Sequence, residues 1–400
     1  MKRIALSTLS LALLGVTGVA HAQSSVTLYG LIDESIQYVH NTQNSAGQNK
    51  NLVAMVAGNL QGDRFGLKGT EDLGGGLKAI FQLENGFDVN TGKLGQGGRM
   101  FGRQAFVGLT GDQWGTVTLG RQYDPVVDLV QPLTGDNYFG STFATPGDVD
   151  NNDNSSRTNS AVKYTSPVWG GFQFEGMYAF GGVAGSTGSG QTWSGAATYA
   201  TGPFSVAAGY FKADNGNTLG SRFTVSGTPP AATPSWNGST SDGTFDGQVN
   251  SYYASAKSIG IAQVAAQYVA GPFTVNLRYS NALYKPDGMS GFGSTEKYNV
   301  GGVYLGYQAT PAMLVGVGYI YTKATGDTSA TYNQVSLGGD YNLSKRTDLY
   351  LVGAWQHATG EQRNTATGGL TAAGASIGSY GYNSASNEQV MVSLGIRHKF

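Results

Sequence analysis

The chain has no cysteine in 400 residues, and only 12% of it is charged. Without cysteine, neither a disulfide framework nor a thiolate-ligated metal site can be built. Soluble domains usually carry about twice that charge. The 24 basic residues nearly balance the 25 acidic ones, so a nucleic-acid partner drawn by bulk charge is excluded. Proline is scarce, and all 11 fall in candidate turns, loops or strand starts, where a missing N–H breaks no sheet. No apolar run of 18 residues follows Ala22, which excludes transmembrane helices. Glycine is abundant, 62 residues, but without a G-X-Y period it makes no collagen. Aromatics reach 11%, too many for a charged disordered chain.

Residues 1–22 read as an export signal. Lys2 and Arg3 precede the apolar run Ile4–Val19, and Ala20-His21-Ala22 has the small-x-small form of a cleavage site. A membrane anchor is the alternative, and the short run fits it less well. Residues 23–400 then form the single domain. Losing Lys2 and Arg3 leaves 22 basic residues against 25 acidic. Mean hydropathy, −0.20, looks soluble. That average hides one architecture, the transmembrane barrel, whose strands bury an apolar face within an alternating pattern.

Alternation is what the chain repeats. Val26, Leu28, Ile32 and Ile36 share one parity; Thr27, Asp33, Ser35 and Gln37 share the other. Leu77, Ala79, Phe81 and Leu83 oppose Lys78, Gln82 and Glu84. Val390, Val392, Leu394 and Ile396 oppose Ser393, Gly395, Arg397 and Lys399. Strand side chains point alternately to opposite faces, so each segment has one greasy and one polar side. Short connections such as 70–76, 111–115 and 201–203 alternate with long ones such as 40–58, 124–156, 214–248 and 358–386. The pattern predicts 16 antiparallel strands: 25–39, 59–70, 77–87, 99–110, 116–123, 157–165, 172–180, 192–200, 204–213, 249–269, 273–284, 297–308, 312–323, 332–343, 347–357 and 388–400. The stretch 249–269 is longer than one span requires. Aromatics near strand ends, among them Phe172, Tyr178, Phe180, Tyr319, Tyr321 and Tyr332, suit a membrane–water boundary. An all-β transmembrane barrel explains both the alternation and the unequal turns. A β-sandwich or propeller explains only the first.

Several stretches carry a family likeness. They are Ser25-Val26-Thr27-Leu28-Tyr29-Gly30, the run Arg64 to Ala79 (RFGLKGTEDLGGGLKA), Arg103-Gln104-Ala105-Phe106-Val107-Gly108-Leu109, Leu119-Gly120-Arg121-Gln122, and Phe400. On these residues the chain resembles the Gram-negative general porins, in particular their trimeric β-proteobacterial branch. The resemblance implies an outer-membrane homotrimer in contact with lipid. It also implies a water-filled channel for passive diffusion of small hydrophilic solutes and ions, with no enzyme activity, cofactor or nucleic-acid partner. It further implies a third outside loop folded into the lumen, and a terminal aromatic, here Phe400, read by the barrel-assembly machinery. Phe400, His398, Ile396 and Leu394 share a parity, as that reading needs.

A barrel of 16 strands is too wide for side chains to fill, so its narrowest point decides what passes. The third loop here is Asp124 to Ser156; it carries Asp124, Asp128, Asp136, Asp148, Asp150 and Asp153, and no Lys or Arg. The facing wall is expected to be basic. Parity turns Arg64, Lys68, Arg157, Lys163 and Lys78 toward the lumen, and Glu84 with them. Arg103 shares parity with Val107, and Arg121 with Leu119, which points both toward lipid at a cost of about 2–4 kcal/mol. The resemblance places a pore arginine at Arg103, so a bulge is expected there; Arg121 joins the wall set despite its parity. The expected constriction thus has Arg64, Arg103, Arg157, Lys68, Lys78, Lys163 and Arg121 on one side. Glu84, Asp124, Asp128, Asp136 and Asp148 form the acidic side, with a transverse field between the two. For each charge, the plain alternative is a solvated lumen group.

Other readings carry less. Gly185 to Thr192 has phosphate-loop spacing, but Gln191 stands where the lysine belongs. His40, His357 and His398 lack partners at metal or triad spacing. Asp148, Asp150 and Asp153 suit a solvated loop before a Ca²⁺ site. Rival functions are a substrate-selective channel, and a barrel enzyme or adhesin built around His357 or the 214–248 loop.

Overall fold

The structure is a computed structural model that describes residues 25–217, 220–228, 230–240, 245 and 247–400. The export-signal segment, 1–22, lies outside the described residues. In chain order the strands are β1 (Ser25–Gln43), β2 (Asn49–Ala57), β3 (Arg64–Gly74), β4 (Leu77–Gly86), β5 (Gln104–Gly111), β6 (Gly115–Gln122), β7 (Thr158–Thr165), β8 (Phe172–Ala179), β9 (Thr192–Thr201) and β10 (Phe204–Asp214). They continue as β11 (Phe223–Ser226), β12 (Ala231–Pro234), β13 (Ser258–Ala270), β14 (Phe273–Lys285), β15 (Glu296–Thr310), β16 (Met313–Thr325), β17 (Ser329–Asn342), β18 (Thr347–Arg363), β19 (Leu370–Ala372) and β20 (Glu388–Lys399).

Seventeen of these form a wall of sixteen strands among the described residues, because β2 and β3 are two halves of one wall strand. The upper half of β1 pairs antiparallel with β2 and the lower half with β3. Strands β11 and β12 make a separate loop hairpin, and β19 only caps the tip of β18. The barrel closes where β20 pairs with β18 on one edge and β1 on the other. Phe400 completes that seam: Gly30 and Phe400 exchange both backbone hydrogen bonds at 3.0 Å. Closure removes the free edges that lipid could not satisfy.

Alternation sets the faces as expected. Leu28, Leu277, Leu337, Leu351 and Leu394 stand more than half exposed on the outer face, where lipid covers them. Asn276, Ser280, Gln334 and Ser336 point inward and are buried beneath inserted loops, with Arg278 half-buried among them. The main core therefore lies inside the mouth of the barrel. There Tyr253, Tyr284, Tyr298 and Tyr332 pack with Val130, Val149 and Val249. Tyr332, expected at the membrane boundary, is instead 1% exposed and donates to Gln362 Oε1 at 2.9 Å.

Several strand limits move. The wall strand expected at 59–70 begins at Asn49 and is interrupted by residues 58–63, which fold into the lumen. Asp33 Oδ2 holds that insert, accepting from Leu60 N at 2.7 Å and Gln61 N at 2.8 Å. The overlong 249–269 resolves into an inward turn, Ser251–Ser255, followed by β13.

Candidate constriction site

The loop expected to fold inward does so, and its sequence shows how it is held. Asp124 caps the short helix Pro125–Leu129, its carboxylate accepting from Val126 N at 2.9 Å and Val127 N at 3.4 Å. Beyond it, Phe139 and Phe143 stack at 5.0 Å and settle against a bare patch of wall. A Cβ on Gly338 would lie 2.5 Å from Phe139 Cδ1, and one on Gly318 would lie 2.7 Å from Phe143 Cδ1. The return limb is pinned by Asp150, which pairs with Arg278 of β14 at 2.9 Å and accepts from Ser280. Tyr284 OH donates to Val149 O at 2.8 Å.

A cavity of about 430 Å³ remains between this loop and the opposite wall. Arg64, Arg103, Arg157 and Tyr123 line one side; Asp128, Asp136 and Asp153 line the other. The basic side is a packed cluster. Arg103 Nε donates to Glu84 Oε1 at 2.8 Å and its Nη2 to Tyr123 OH at 2.7 Å. The guanidiniums of Arg103 and Arg157 lie 5.9 and 5.6 Å from the Tyr123 ring centroid, within cation–π range. Arg64 Nε donates to Gly62 O at 2.8 Å, and Arg157 Nη1 to Ser155 O at 3.0 Å.

The remaining expected residues separate into distinct roles. Glu84, assigned to the acidic side, sits within the basic wall, because parity fixes its face but not which wall it meets. It is 3% exposed and also accepts from Tyr29 OH at 2.8 Å. Asp124 and Asp148 do not line the cavity. The first is a helix cap; the second braces the loop, accepting from Asp153 N at 2.9 Å and Ser155 N at 3.0 Å. Lys163 is taken up by Asp128, with Glu175 at 4.0 Å. Lys68 lies below the cavity over the Tyr29 ring, at 5.3 Å. Lys78 is six residues from Glu84 along β4, about 20 Å at strand rise.

The two arginines of awkward parity are both buried, for different reasons. Arg103 turns inward at a bend just before β5, not at a bulge within it. The register shift lies instead between Gly120 and Gln122, where β6 meets β7. Arg121 sits beside that shift, its Nε donating to Gly102 O at 2.7 Å and its Nη1 to Asn159 Oδ1 at 2.5 Å. It ties the turn before β5 to the start of β7 and does not line the cavity.

Burial raises the loop carboxyls. Asp136 is pushed up to about 7, by burial first and then by the charge of Asp153. Asp153 is raised too, chiefly by burial, and Asp148 more strongly, by burial and its acidic neighbours. Tyr123 was missed from the sequence because it lies at a strand end, where parity says least. The 58–62 rim, lined by Gly58, Leu60, Gln61 and Gly62, was missed because all of it but Gly58, the end of an expected loop, falls inside the strand expected at 59–70.

The profile of the Gram-negative porin family matches residues 7–361. Outer membrane porin protein 32 of Delftia acidovorans is 31% identical over 98% of this chain and 99% of its own length. An outer membrane porin protein of Bordetella pertussis is 38% identical over 45% of this chain and 48% of its own length. The solved anion-selective porin from Comamonas acidovorans superposes with a TM-score of 0.67 at 25% identity, covering 94% of this chain and 100% of that one. With its closed barrel, greasy exterior and inward third loop, the chain belongs to the Gram-negative porin family and forms an outer-membrane porin channel.

Proposed function

We propose that the diffusion path narrows between the Arg64–Arg103–Arg157 wall and the inward loop, and that this slot favours small anions. The charge balance around the cavity carries the reading. Glu84 offsets Arg103, and Asp128 offsets Lys163. Asp136, pushed up to about 7, holds less than full charge near neutral pH, and burial raises Asp153 in the same direction. The guanidiniums of Arg64 and Arg157 then give the slot a positive excess. The relative from Comamonas acidovorans is described as anion-selective, which points the same way. Passage is diffusive and uses no catalytic group or cofactor. The test is reversal potential in planar bilayers across a potassium chloride gradient. An anion-selective sign supports the slot; a cation-selective sign rejects it.

The same reading includes a homotrimer, a removed export signal at residues 1–22, and recognition of Phe400 by the barrel-assembly machinery. A trimer is seen for a Vibrio cholerae outer-membrane protein of similar fold. The outer face of β1 and β2 supports a partner copy here. Strand β2 is paired along one edge only, with β1, among the described residues. Val53 and Met55 beside that edge are 70% and 62% exposed.

A further inference from the structure

The loop joining β18 to β20 turns into the barrel. Ala373, Ala375, Ser376 and Ile377 are buried, and three wall glutamines hold the backbone there. Gln356 donates to Ser376 O at 2.9 Å and accepts from Ser376 N at 2.7 Å. Gln389 Oε1 accepts from Ile377 N at 2.9 Å. Gln334 Oε1 accepts from Gly378 N at 3.2 Å, while its amide donates to Thr142 O and Ala144 O at 3.1 and 3.2 Å. One side chain thus carries both this loop and the third loop.

The tip then meets both rims of the constriction. Gly147 N donates to Gly378 O at 2.8 Å. Ser379 Oγ donates to Asp153 Oδ2, the oxygen that also accepts from Ser141 at 2.6 Å. Tyr380 OH donates to Asn59 Oδ1 and meets Thr142 Oγ1 at 2.8 Å. Asn59 belongs to the wall insert and Thr142 to the third loop, and the two segments meet directly beside this contact, where a Cβ on Gly140 would lie 2.6 Å from Asn59 O. Gly378 has φ +56°, and a Cβ there would lie 2.0 Å from Ser141 O, so glycine is required for this approach.

We propose that Gly378, Ser379 and Tyr380 form a strut that locks the corner of the constriction, where the wall insert and the third loop meet, and so fixes the position of the loop. Ser379 and Tyr380 are its positioning residues. Ser379 aims Asp153, and Tyr380 clamps the insert to the third loop. The inference deepens the channel reading above and rests on it. From Leu370 to Asn387 the loop has no Asp, Glu, Lys, Arg or His. It therefore acts by placing the charges of others, whose field at a passing ion changes with distance.

The test uses the intact protein in planar bilayers. Tyr380→Phe and Ser379→Ala are each expected to shift the reversal potential and raise open-channel noise, while Ser379→Thr restores both toward wild type. Wild-type values in Tyr380→Phe and Ser379→Ala would overturn the strut. The cysteine-free background permits a second measurement that keeps the barrel sequence otherwise intact. In Ser141→Cys with Ser379→Cys, oxidation is expected to leave conductance at the wild-type level, because both side chains already converge on Asp153 Oδ2. A drop in conductance on oxidation, reversed by reductant, would place the loop outside the open pore and defeat the proposal. A wild-type protein that conducts nothing would instead reject the channel reading itself.

Discussion

Glu84 governs the local charge of the slot as much as the arginines do. It accepts from Arg103 at 2.8 Å, Tyr29 at 2.8 Å and Tyr123 at 3.3 Å, so replacing it changes charge with little change of shape. A unit charge roughly 6 Å from a passing ion in water is worth about 0.7 kcal/mol, or about threefold in relative permeability. Glu84→Gln is therefore expected to strengthen anion preference about threefold, and Arg157→Gln to weaken it by a similar factor. Reversal potentials in a salt gradient read both. Acidity acts in the same direction as Glu84→Gln. The Asp136 carboxyl is raised to about 7 by burial and by Asp153, so lowering the pH from 8 to 5 protonates it and removes negative charge from the slot. Anion preference should rise over that window, and Asp136→Asn should flatten the profile. A wild-type profile that is already flat would show that Asp136 does not titrate at the pore.

The third loop depends on fit at two places, an aromatic pair on bare wall and an ion pair on the far wall. Phe139 is 0% exposed, and truncating a buried phenylalanine costs about 3–5 kcal/mol. Phe139→Ala should leave the barrel folded but make residues 124–156 open to limited proteolysis. Gly338→Leu should have a similar effect from the other side, because its Cβ alone reaches within 2.5 Å of Phe139 Cδ1. Protection equal to wild type in both variants would mean that the pair does not seat the loop. Strands were the legible part of this architecture, since Leu277 and Leu337 alternate with Arg278 and Gln334 at a period that geometry fixes. What alternation cannot show is where a register resets. The bend before Gln104 and the shift at Gly120 each carry an arginine away from its nominal face. Nor does an acidic loop declare which carboxylates cap, brace or face water; Asp124, Asp148 and Asp136 look alike in sequence and differ entirely in partners. The inward turn of 373–384 did leave a trace, an uncharged stretch where an exposed loop would carry charge.

At the scale of the whole barrel, one outward-facing acid remains to be explained. Glu34 shares parity with Ile32 and Ile36 on β1 and lies opposite Ile396 of β20. Both of its carboxylate oxygens are enclosed with no hydrogen-bond partner in the described chain. Lipid could not supply a donor, and an isolated charge facing hydrocarbon is costly. The adjoining β2 edge presents backbone groups in the same situation, and such groups are not left bare to lipid. A second copy of the chain seated over β1 and β2 would satisfy both. On that reading Glu34 meets a donor from the neighbouring subunit. Removing one member of a buried charged pair costs about 3–5 kcal/mol, so on the proposed trimer Glu34→Ala should shift the protein toward monomer on semi-native gels. Glu34→Gln, which can still accept a hydrogen bond, should lie between. The dissociated barrels should still conduct, since each encloses its own slot. If Glu34→Ala migrates and melts as the wild type does, Glu34 lies away from any subunit contact.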